Sequence, residues 1–98
     1  MLDLNQHELL IVTDIFKAIL NDPAEVYVFG SRAKDTARKY SDLDLLIKAD
    51  QAINYLSLSQ LEEAFSESDL PYRTDIIDWH TVNEDFKKHI TPQLIRIV

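Results

Sequence analysis

Apolar residues recur along this sequence at two different spacings, which separate predicted helices from predicted strands. Between residues 5 and 20 they fall three or four positions apart, which predicts an amphipathic helix ended by Asn21-Asp22-Pro23. Residues 51–67 show the same helical spacing, and the tail from Asn83 predicts another helix, which Pro92 either breaks or restarts. The inward positions are Leu9, Val12, Ile15, Phe16, Ile19 and Leu20 in the first helix and Ile53, Leu56, Leu61, Ala64 and Phe65 in the second.

Three segments between these helices have the pattern of β-strands. Residues 25–29 contain a continuous apolar run, which is typical of a buried strand. Residues 42–48 alternate, with Leu43, Leu45 and Ile47 on one face and Asp42, Asp44 and Leu46 on the other. Residues 72–79 predict a third strand, and residues 32–38 a short helix with Ser31 as its N-cap. The order α-β-α-β-α-β-α around a small sheet predicts an α/β or α+β fold, with residues 1–98 as one domain.

Composition and charge exclude several classes of protein. The apolar share of 46% is ordinary for a globular protein. The net charge of −7 argues against a non-specific nucleic-acid binder, because such proteins need a basic surface. Cysteine is absent, so a metal ion would need oxygen or histidine ligands. The apolar runs are too short to cross a bilayer and the N-terminus lacks the features of a signal peptide, which together predict a cytoplasmic protein.

The first candidate for chemistry is Gly30, the one glycine in the sequence, placed where the first predicted strand ends. A glycine at such a turn lets backbone amides approach a phosphate closely, and Ser31 adds a hydroxyl donor. Arg32 and Lys34 lie beside the turn and are candidates for contact with the β- or γ-phosphate, with a solvated helix face as the alternative. A plain strand-to-helix turn capped by serine has the same residues, so the turn alone does not decide.

Aspartates on the second and third predicted strands are the other candidates. Asp42 and Asp44 project from one face, where two like charges repel unless a cation such as Mg²⁺ lies between them. A solvated strand face is the alternative. Asp75 and Asp78 point to opposite faces of their strand, so at most one of them joins the pair, as a metal ligand or as a proton acceptor. Asp78 fits a solvent-exposed position at the strand end.

Gly30-Ser31, ten intervening residues and Asp42-Leu43-Asp44 resemble the signature of the nucleotidyltransferases related to DNA polymerase β. With residues 70–79 included, the chain resembles the minimal nucleotidyltransferase (MNT) family of bacteria and archaea. The resemblance implies a mixed sheet flanked by helices and a triphosphate gripped by the Gly30-Ser31 turn. It also implies two Mg²⁺ ions held by three catalytic carboxylates, those of Asp42, Asp44 and Asp75. Asp35 stands where many family members have a second glycine. An acid facing the site would weaken phosphate binding, whereas an acid in the first turn of a helix would be favoured by the helix dipole.

The resemblance also implies a reaction and a partner. A hydroxyl group attacks the α-phosphorus of ATP and pyrophosphate leaves. MNT proteins are commonly encoded with a helical HEPN-type protein, often as antitoxin and toxin, so the acceptor is expected to be a tyrosine of that partner. A module that neutralises its partner by contact alone, and half of a split enzyme that modifies a small molecule, are the alternatives. Leu94, Ile95, Ile97 and Val98 are expected to form an exposed apolar surface for the helical partner or, failing that, for a homodimer.

Overall fold

The computed structural model describes residues 2–20, 23–34 and 36–98, which contain three α-helices and one sheet of four strands. The helices and strands follow this order: α1 Gln6–Ile19, β1 Ala24–Phe29, β2 Leu43–Ala49, α2 Tyr55–Ser66, β3 Thr74–Asp78, α3 Glu84–Ile90 and β4 Ile95–Arg96. Short 3-10 turns cover Gly30–Arg32, Trp79–Thr81 and Thr91–Gln93. The predicted break at Asn21-Asp22 and the expected effect of Asp35 lie outside the described residues.

The four strands form a mixed sheet in the order β3-β2-β1-β4. Strand β1 runs antiparallel to both β2 and β4, whereas β2 and β3 are parallel. The register places Asp44 opposite Phe29 on one side and opposite Asp75 on the other. The expected mixed sheet flanked by helices is therefore confirmed, and its register decides which acidic residues become neighbours.

Each face of the sheet has its own apolar cluster. On the first face, Val12 and Phe16 of α1 and Leu61 and Phe65 of α2 pack against the strands, and the rings of Phe16 and Phe65 meet edge to face at 5.5 Å. The alternation in β2 explains this, because Leu43, Leu45 and Ile47 all point to this face and are fully buried. Burial of each such side chain contributes about 2 kcal/mol to the stability of the folded protein.

The second face is covered by α3. Phe29, Leu46 and Ile90 form its buried cluster, and the ring of Phe86 meets that of Phe29 edge to face at 6.0 Å. Because Phe29 is the last residue of β1, this packing anchors the chain directly before Gly30. Asp44 precedes Leu46 by two positions and so lies on this same face, beyond the end of the apolar cluster.

Three asparagines start the three helices. The side chain of Asn5 accepts the N–H of Glu8 at 2.8 Å, and Glu8 returns a bond to the N–H of Asn5 at 3.2 Å, which completes a capping box. Asn54 accepts from Ser57 and Asn83 accepts from Phe86 in the same way. Each cap satisfies a helix N–H that has no partner within the helix and contributes about 1 kcal/mol.

One predicted element is wrong, and another is correct only in part. Instead of a helix over residues 32–38, the described residues there form a 3-10 turn followed by irregular chain, and Ser31 lies inside the turn without capping it. The reason is Arg32, whose buried side chain binds the carbonyl groups of the following loop. The helix predicted from Asn83 is present as α3 and ends before Pro92, whereas the chain beyond Pro92 forms a short strand, β4, that pairs with Tyr27 and Val28 of β1.

The expected apolar surface at the C-terminus is also wrong. Ile95, Ile97 and Val98 pack against the first cluster and Leu94 against the second, because the pairing of β4 turns alternate side chains into the core. Among the residues that the structure describes, the exposed large apolar side chains are instead Leu10, Tyr40, Tyr55 and Leu56. In the described part of the chain, no helix combines the length and apolar character that a membrane span requires.

Candidate active site

Gly30 lies directly against the carboxylate of Asp44. Its φ of +75° is in the left-handed region that favours glycine. A Cβ atom at this position would overlap Oδ2 of Asp44 and lie 3.2 Å from its Cγ. Both the backbone conformation and the lack of space therefore require glycine here. The contact arises because Phe29 and Asp44 are register partners, so the residue after Phe29 turns across the Asp44 side chain.

The register of β2 and β3 brings three carboxylates to the same end of the sheet. Asp44 and Asp75 are partners on neighbouring strands, and Asp42 lies two positions before Asp44. Burial, followed by the negative charges of Asp75 and Asp42, raises the pKa of Asp44 to about 6. The side chain of Asp44 is half-buried, whereas Asp42 and Asp75 are exposed.

These carboxylates have the donor chemistry that Mg²⁺ prefers. The repulsion that raises the pKa of Asp44 is also the repulsion that a cation between the carboxylates would relieve. The residues thus fit a divalent cation in charge and donor type. Within residues 2–20, 23–34 and 36–98, however, no group of three or more acidic or histidine side chains is already arranged as a metal site.

Arg32 has a different position from the one expected of a phosphate ligand. Its side chain is 4% exposed, and its guanidinium donates to the carbonyl of Ser41 from Nε at 3.1 Å and from Nη2 at 2.9 Å. Further bonds reach the carbonyls of Lys39 and Asp3. Arg32 therefore holds the loop that leads into Asp42. The expectation that it contacts the β- or γ-phosphate is corrected, because these carbonyl groups already occupy its donors.

Tyr72 covers the other side of the Arg32 guanidinium. The carbon of the guanidinium lies 3.6 Å from the centre of the Tyr72 ring, a cation–π contact in a largely buried setting. The Tyr72 hydroxyl is buried without a hydrogen-bond partner among the described residues. Burial, followed by the negative charge of Glu8, raises its pKa. Tyr72 is thus a neutral packing surface that connects Arg32 to the segment before β3.

Asp78 is buried, so its expected position as a solvent-exposed residue at the strand end is wrong. It is 7% exposed, and its two carboxylate oxygens accept the N–H groups of Ile53 at 2.7 Å and His80 at 2.9 Å. It thereby joins the start of α2 to the turn that follows β3. The prediction that Asp75 and Asp78 serve different faces agrees with this arrangement, since Asp75 is paired with Asp44 and Asp78 is not.

A cleft of about 610 Å³ begins beside Asp75 at the outer edge of β3. Its walls combine the end of α2 with the residues that lead into β3. Phe65, Leu70 and Tyr72 give it an apolar surface, and Glu62 and Arg73 add charges of both signs.

Gln93 is a site residue that the sequence analysis did not identify. Its side-chain oxygen accepts the backbone N–H of Gly30 at 3.0 Å, across 63 positions of sequence. The sequence pattern indicates this role only weakly, because a glutamine next to a proline is common in surface turns. The proximity depends on the packing of α3 and β4 on β1, which local pattern does not reveal.

Comparison with known proteins identifies relatives of this arrangement. The family described as "Polymerase beta, Nucleotidyltransferase" matches residues 5–98. A curated protein of Haemophilus influenzae named "Probable protein adenylyltransferase MntA" is 48% identical over 89 residues, which cover 91% of this chain and 77% of that protein. The match includes both the glycine turn and the strands that carry the aspartates, since it spans most of the chain.

Solved structures with the same fold come from toxin–antitoxin systems. A toxin–antitoxin with AMP-PNP matches with a TM-score of 0.78 at 17% identity, covering 92% of this chain and 72% of that one. A tri-AMPylated Shewanella oneidensis HEPN toxin in complex with an MNT antitoxin matches with a TM-score of 0.72 at 15% identity, covering 95% and 71%. At these identities the structural similarity establishes the fold alone.

Proposed function

Because this chain belongs to the polymerase beta nucleotidyltransferase family, we propose that it transfers AMP from Mg-ATP to a hydroxyl acceptor, a tyrosine of a helical HEPN-type partner. In this proposal residues 1–98 act as one nucleotidyltransferase domain within a hetero-oligomer. A protein in the cytoplasm, the location expected from the sequence, would have access to ATP.

The observation that carries the proposal is the contact between Gly30 and Asp44 at the end of the sheet where Asp42 and Asp75 also lie. A solvated strand face would not need a left-handed glycine packed against a carboxylate. A phosphate-binding turn beside a metal-binding carboxylate does need one, because the triphosphate must reach both the turn and the acidic group. The charge of −7 makes such local positioning necessary for an anionic substrate.

Each of the site residues has its own role in the proposed reaction. The turn at Gly30 and Ser31 binds the triphosphate through the N–H of Ser31 and the serine hydroxyl, while the N–H of Gly30 is donated to Gln93. The carboxylates of Asp42, Asp44 and Asp75 would hold Mg²⁺, which neutralises the charge of the triphosphate and of the leaving group. The tyrosine oxygen of the acceptor attacks the α-phosphorus, the new O–P bond forms, and the bond to the β-phosphate oxygen breaks to release pyrophosphate.

The proton of the attacking hydroxyl needs an acceptor, and Asp75 is the best placed of the three carboxylates. It is exposed on the edge strand β3 and lines the 610 Å³ cleft, whereas Asp44 is half-buried beneath Gly30. Transfer of the proton to Asp75 then accompanies attack on phosphorus.

The relatives support an AMP group and a protein acceptor. The protein of Haemophilus influenzae is named as a probable protein adenylyltransferase, and the Shewanella oneidensis complex contains an AMPylated HEPN toxin beside an MNT antitoxin. The acceptor site completed by a second protein also suits a domain of this size, because a chain of 98 residues has little surface to enclose both substrates.

The test is co-purification of the chain with the product of the neighbouring reading frame, followed by intact-protein mass spectrometry with and without ATP and Mg²⁺. The expected result is a partner that gains the mass of one or more AMP groups only when both are present. Peptide mapping should place the AMP on tyrosine. A stable complex that never gains AMP would favour the contact-only module, and transfer to small hydroxyl compounds alone would favour the split enzyme.

A further inference from the structure

The phosphate turn, defined here as residues 30–32, is fastened to the C-terminal part of the chain by one side chain. The N–H of Gly30 donates a hydrogen bond of 3.0 Å to Oε1 of Gln93. The amide nitrogen of Gln93 donates in turn to the carbonyl of His89 at 3.3 Å. This second bond decides which end of the amide faces Gly30, because only the oxygen can accept the glycine N–H.

Gln93 is itself held by a well-packed segment. Ile90 is 1% exposed and packs with Phe29, the residue that precedes Gly30. The hydroxyl of Thr91 donates to the carbonyl of Lys87 at 2.6 Å, which joins the last turn of α3 to the 3-10 turn containing Gln93. The side chain of Gln93 and the packing of Ile90 therefore act on two consecutive residues of the chain, Phe29 and Gly30.

The bond to Gln93 also determines which amides of the turn face outward. The N–H groups of Ala33 and Lys34 both donate to the carbonyl of Gly30. Among the described residues, no hydrogen bond is found from the N–H of Ser31 or of Arg32. With Gly30 directed at Gln93, these two N–H groups are the donors that the turn can offer to an anion.

We propose that Gln93 is a positioning residue that holds Gly30 in its left-handed conformation and so prepares the phosphate turn for the triphosphate of the nucleotide. Glycine is the residue with the greatest conformational freedom, so a turn built on it gains most from being held before the ligand binds. The proposal rests on the proposed function for the identity of the ligand. The contact between Gln93 and Gly30 does not depend on it.

The sequence offers a direct probe, because Gly30 is its one glycine. Labelling with ¹⁵N-glycine gives a single amide signal that reports the N–H donated to Gln93. In the wild type this amide should exchange slowly with solvent, and in Gln93→Ala it should exchange at least about tenfold faster, as expected when a protecting bond is lost. Gln93→Glu keeps an acceptor of the same length and should keep the signal protected.

Calorimetric titration with Mg-AMP-PNP measures the consequence for binding. Gln93→Ala should raise Kd by about tenfold, because the nucleotide must then order the turn itself. In the transfer assay KM for ATP should rise by a similar factor while kcat changes less than about threefold. Gln60→Ala, at an exposed position of α2, is the matched control and should leave exchange, Kd and KM at wild-type values.

Each possible outcome either supports or overturns the proposed role of Gln93. Equal exchange of Gly30 in the wild type and in Gln93→Ala would overturn the contact, and faster exchange with unchanged Kd would overturn its role. Loss of thermal stability and kcat at unchanged KM would identify Gln93 as structural only. If the wild type binds Mg-AMP-PNP without transferring AMP, the proposed function fails and the inference on Gln93 stands. If it does not bind the nucleotide, both are rejected.

Discussion

Asp44 and Asp75 are register partners on the neighbouring parallel strands β2 and β3. The pairing of these two strands therefore places two negative charges next to each other in the candidate site. Parallel strands that end at one edge bring their side chains together without any contribution from loop conformation. The repulsion between these two carboxylates is the largest charge effect on the pKa of Asp44, ahead of that from Asp42. Without a bound cation, this repulsion lowers the stability of the folded protein.

Replacement of the first two carboxylates should separate activity from stability. Asp42→Asn and Asp44→Asn should each reduce AMP transfer at least about 100-fold, because the ligands that neutralise the triphosphate are lost. Asp44→Asn should at the same time raise the free energy of unfolding by about 1 kcal/mol at pH 7, a value reduced for the solvent exposure of this half-buried group. Urea denaturation and the mass-spectrometric transfer assay measure the two effects. Wild-type transfer rates in both variants would contradict the site.

The raised pKa of Asp44 predicts a pH dependence with a definite sign. The pKa is 3.8 for an ordinary aspartate and about 6 here, so the folded state binds more protons than the unfolded state between these values. The stability that protonation of Asp44 contributes is fully present below pH 3.8 and is lost as pH rises through about 6. The difference in Tm between Asp44→Asn and the wild type, without divalent cations, should therefore grow from pH 4 to pH 7.

Mg²⁺ provides the control for this pH effect. At about pH 7, millimolar Mg²⁺ should raise the Tm of the wild type, because an ion that binds only the folded state stabilises it by mass action. The same addition should change the Tm of Asp44→Asn much less. An equal rise in both proteins would mean that the ion acts elsewhere, and the assignment of the carboxylates as ligands would be wrong.

Asp75 and Asp78 should give opposite phenotypes although three positions separate them. Asp75→Asn should reduce transfer at least about 100-fold with little change in stability, since the side chain is exposed and acts on the acceptor. Asp78→Asn should keep its transfer activity per folded molecule but lose about 1–3 kcal/mol of stability. The reason is that an amide nitrogen would then face one of the two N–H groups that the carboxylate accepts.

Asp69→Asn is the matched control for both variants, because Asp69 is exposed beyond the end of α2. It should leave the Tm and the transfer rate unchanged. If Asp78→Asn abolished transfer while remaining as stable as the wild type, Asp78 rather than Asp75 would be the third carboxylate, and the register of β3 would have to be reconsidered.

Much of this site could be predicted from the alternation of apolar and polar residues along single strands. The period of two in β2 places Leu43, Leu45 and Ile47 in the core and leaves Asp44 on the other face, and the structure confirms that division. The same period separates Asp75 from Asp78. These features were predictable because each depends only on the direction of neighbouring side chains along one strand.

Features that depend on distant parts of the chain were not predictable in this way. Strand β4 has only two residues and exists because it pairs with β1. Arg32 is buried because a loop folds back to supply carbonyl groups, and Gln93 meets Gly30 only through the packing of α3. In the cases of Arg32 and Gln93, a charged or polar side chain that a sequence pattern assigns to a ligand or to the surface finds its partners inside the protein.

Arg32 gives the sharpest contrast between the expected role and the one in the structure. As a phosphate ligand it would affect binding of ATP and contribute little to stability. As the residue that holds Ser41, Lys39 and Asp3 it should be essential to the fold near Asp42. Arg32→Ala should therefore lower the free energy of unfolding by about 3 kcal/mol, because several partly buried carbonyl groups lose charged donors and the face of Tyr72 loses its partner.

Arg32→Lys tests the geometry behind that number. A lysine keeps the charge but not the planar fork, so it cannot donate to the Ser41 carbonyl from two nitrogens and stack on Tyr72 together. It should recover less than half of the stability lost in the alanine variant, measured by urea denaturation. Arg38→Ala, at an exposed position of the same loop, serves as the control and should stay within about 0.5 kcal/mol of the wild type. A stable Arg32→Ala protein with only a raised KM for ATP would restore Arg32 as a ligand of the triphosphate.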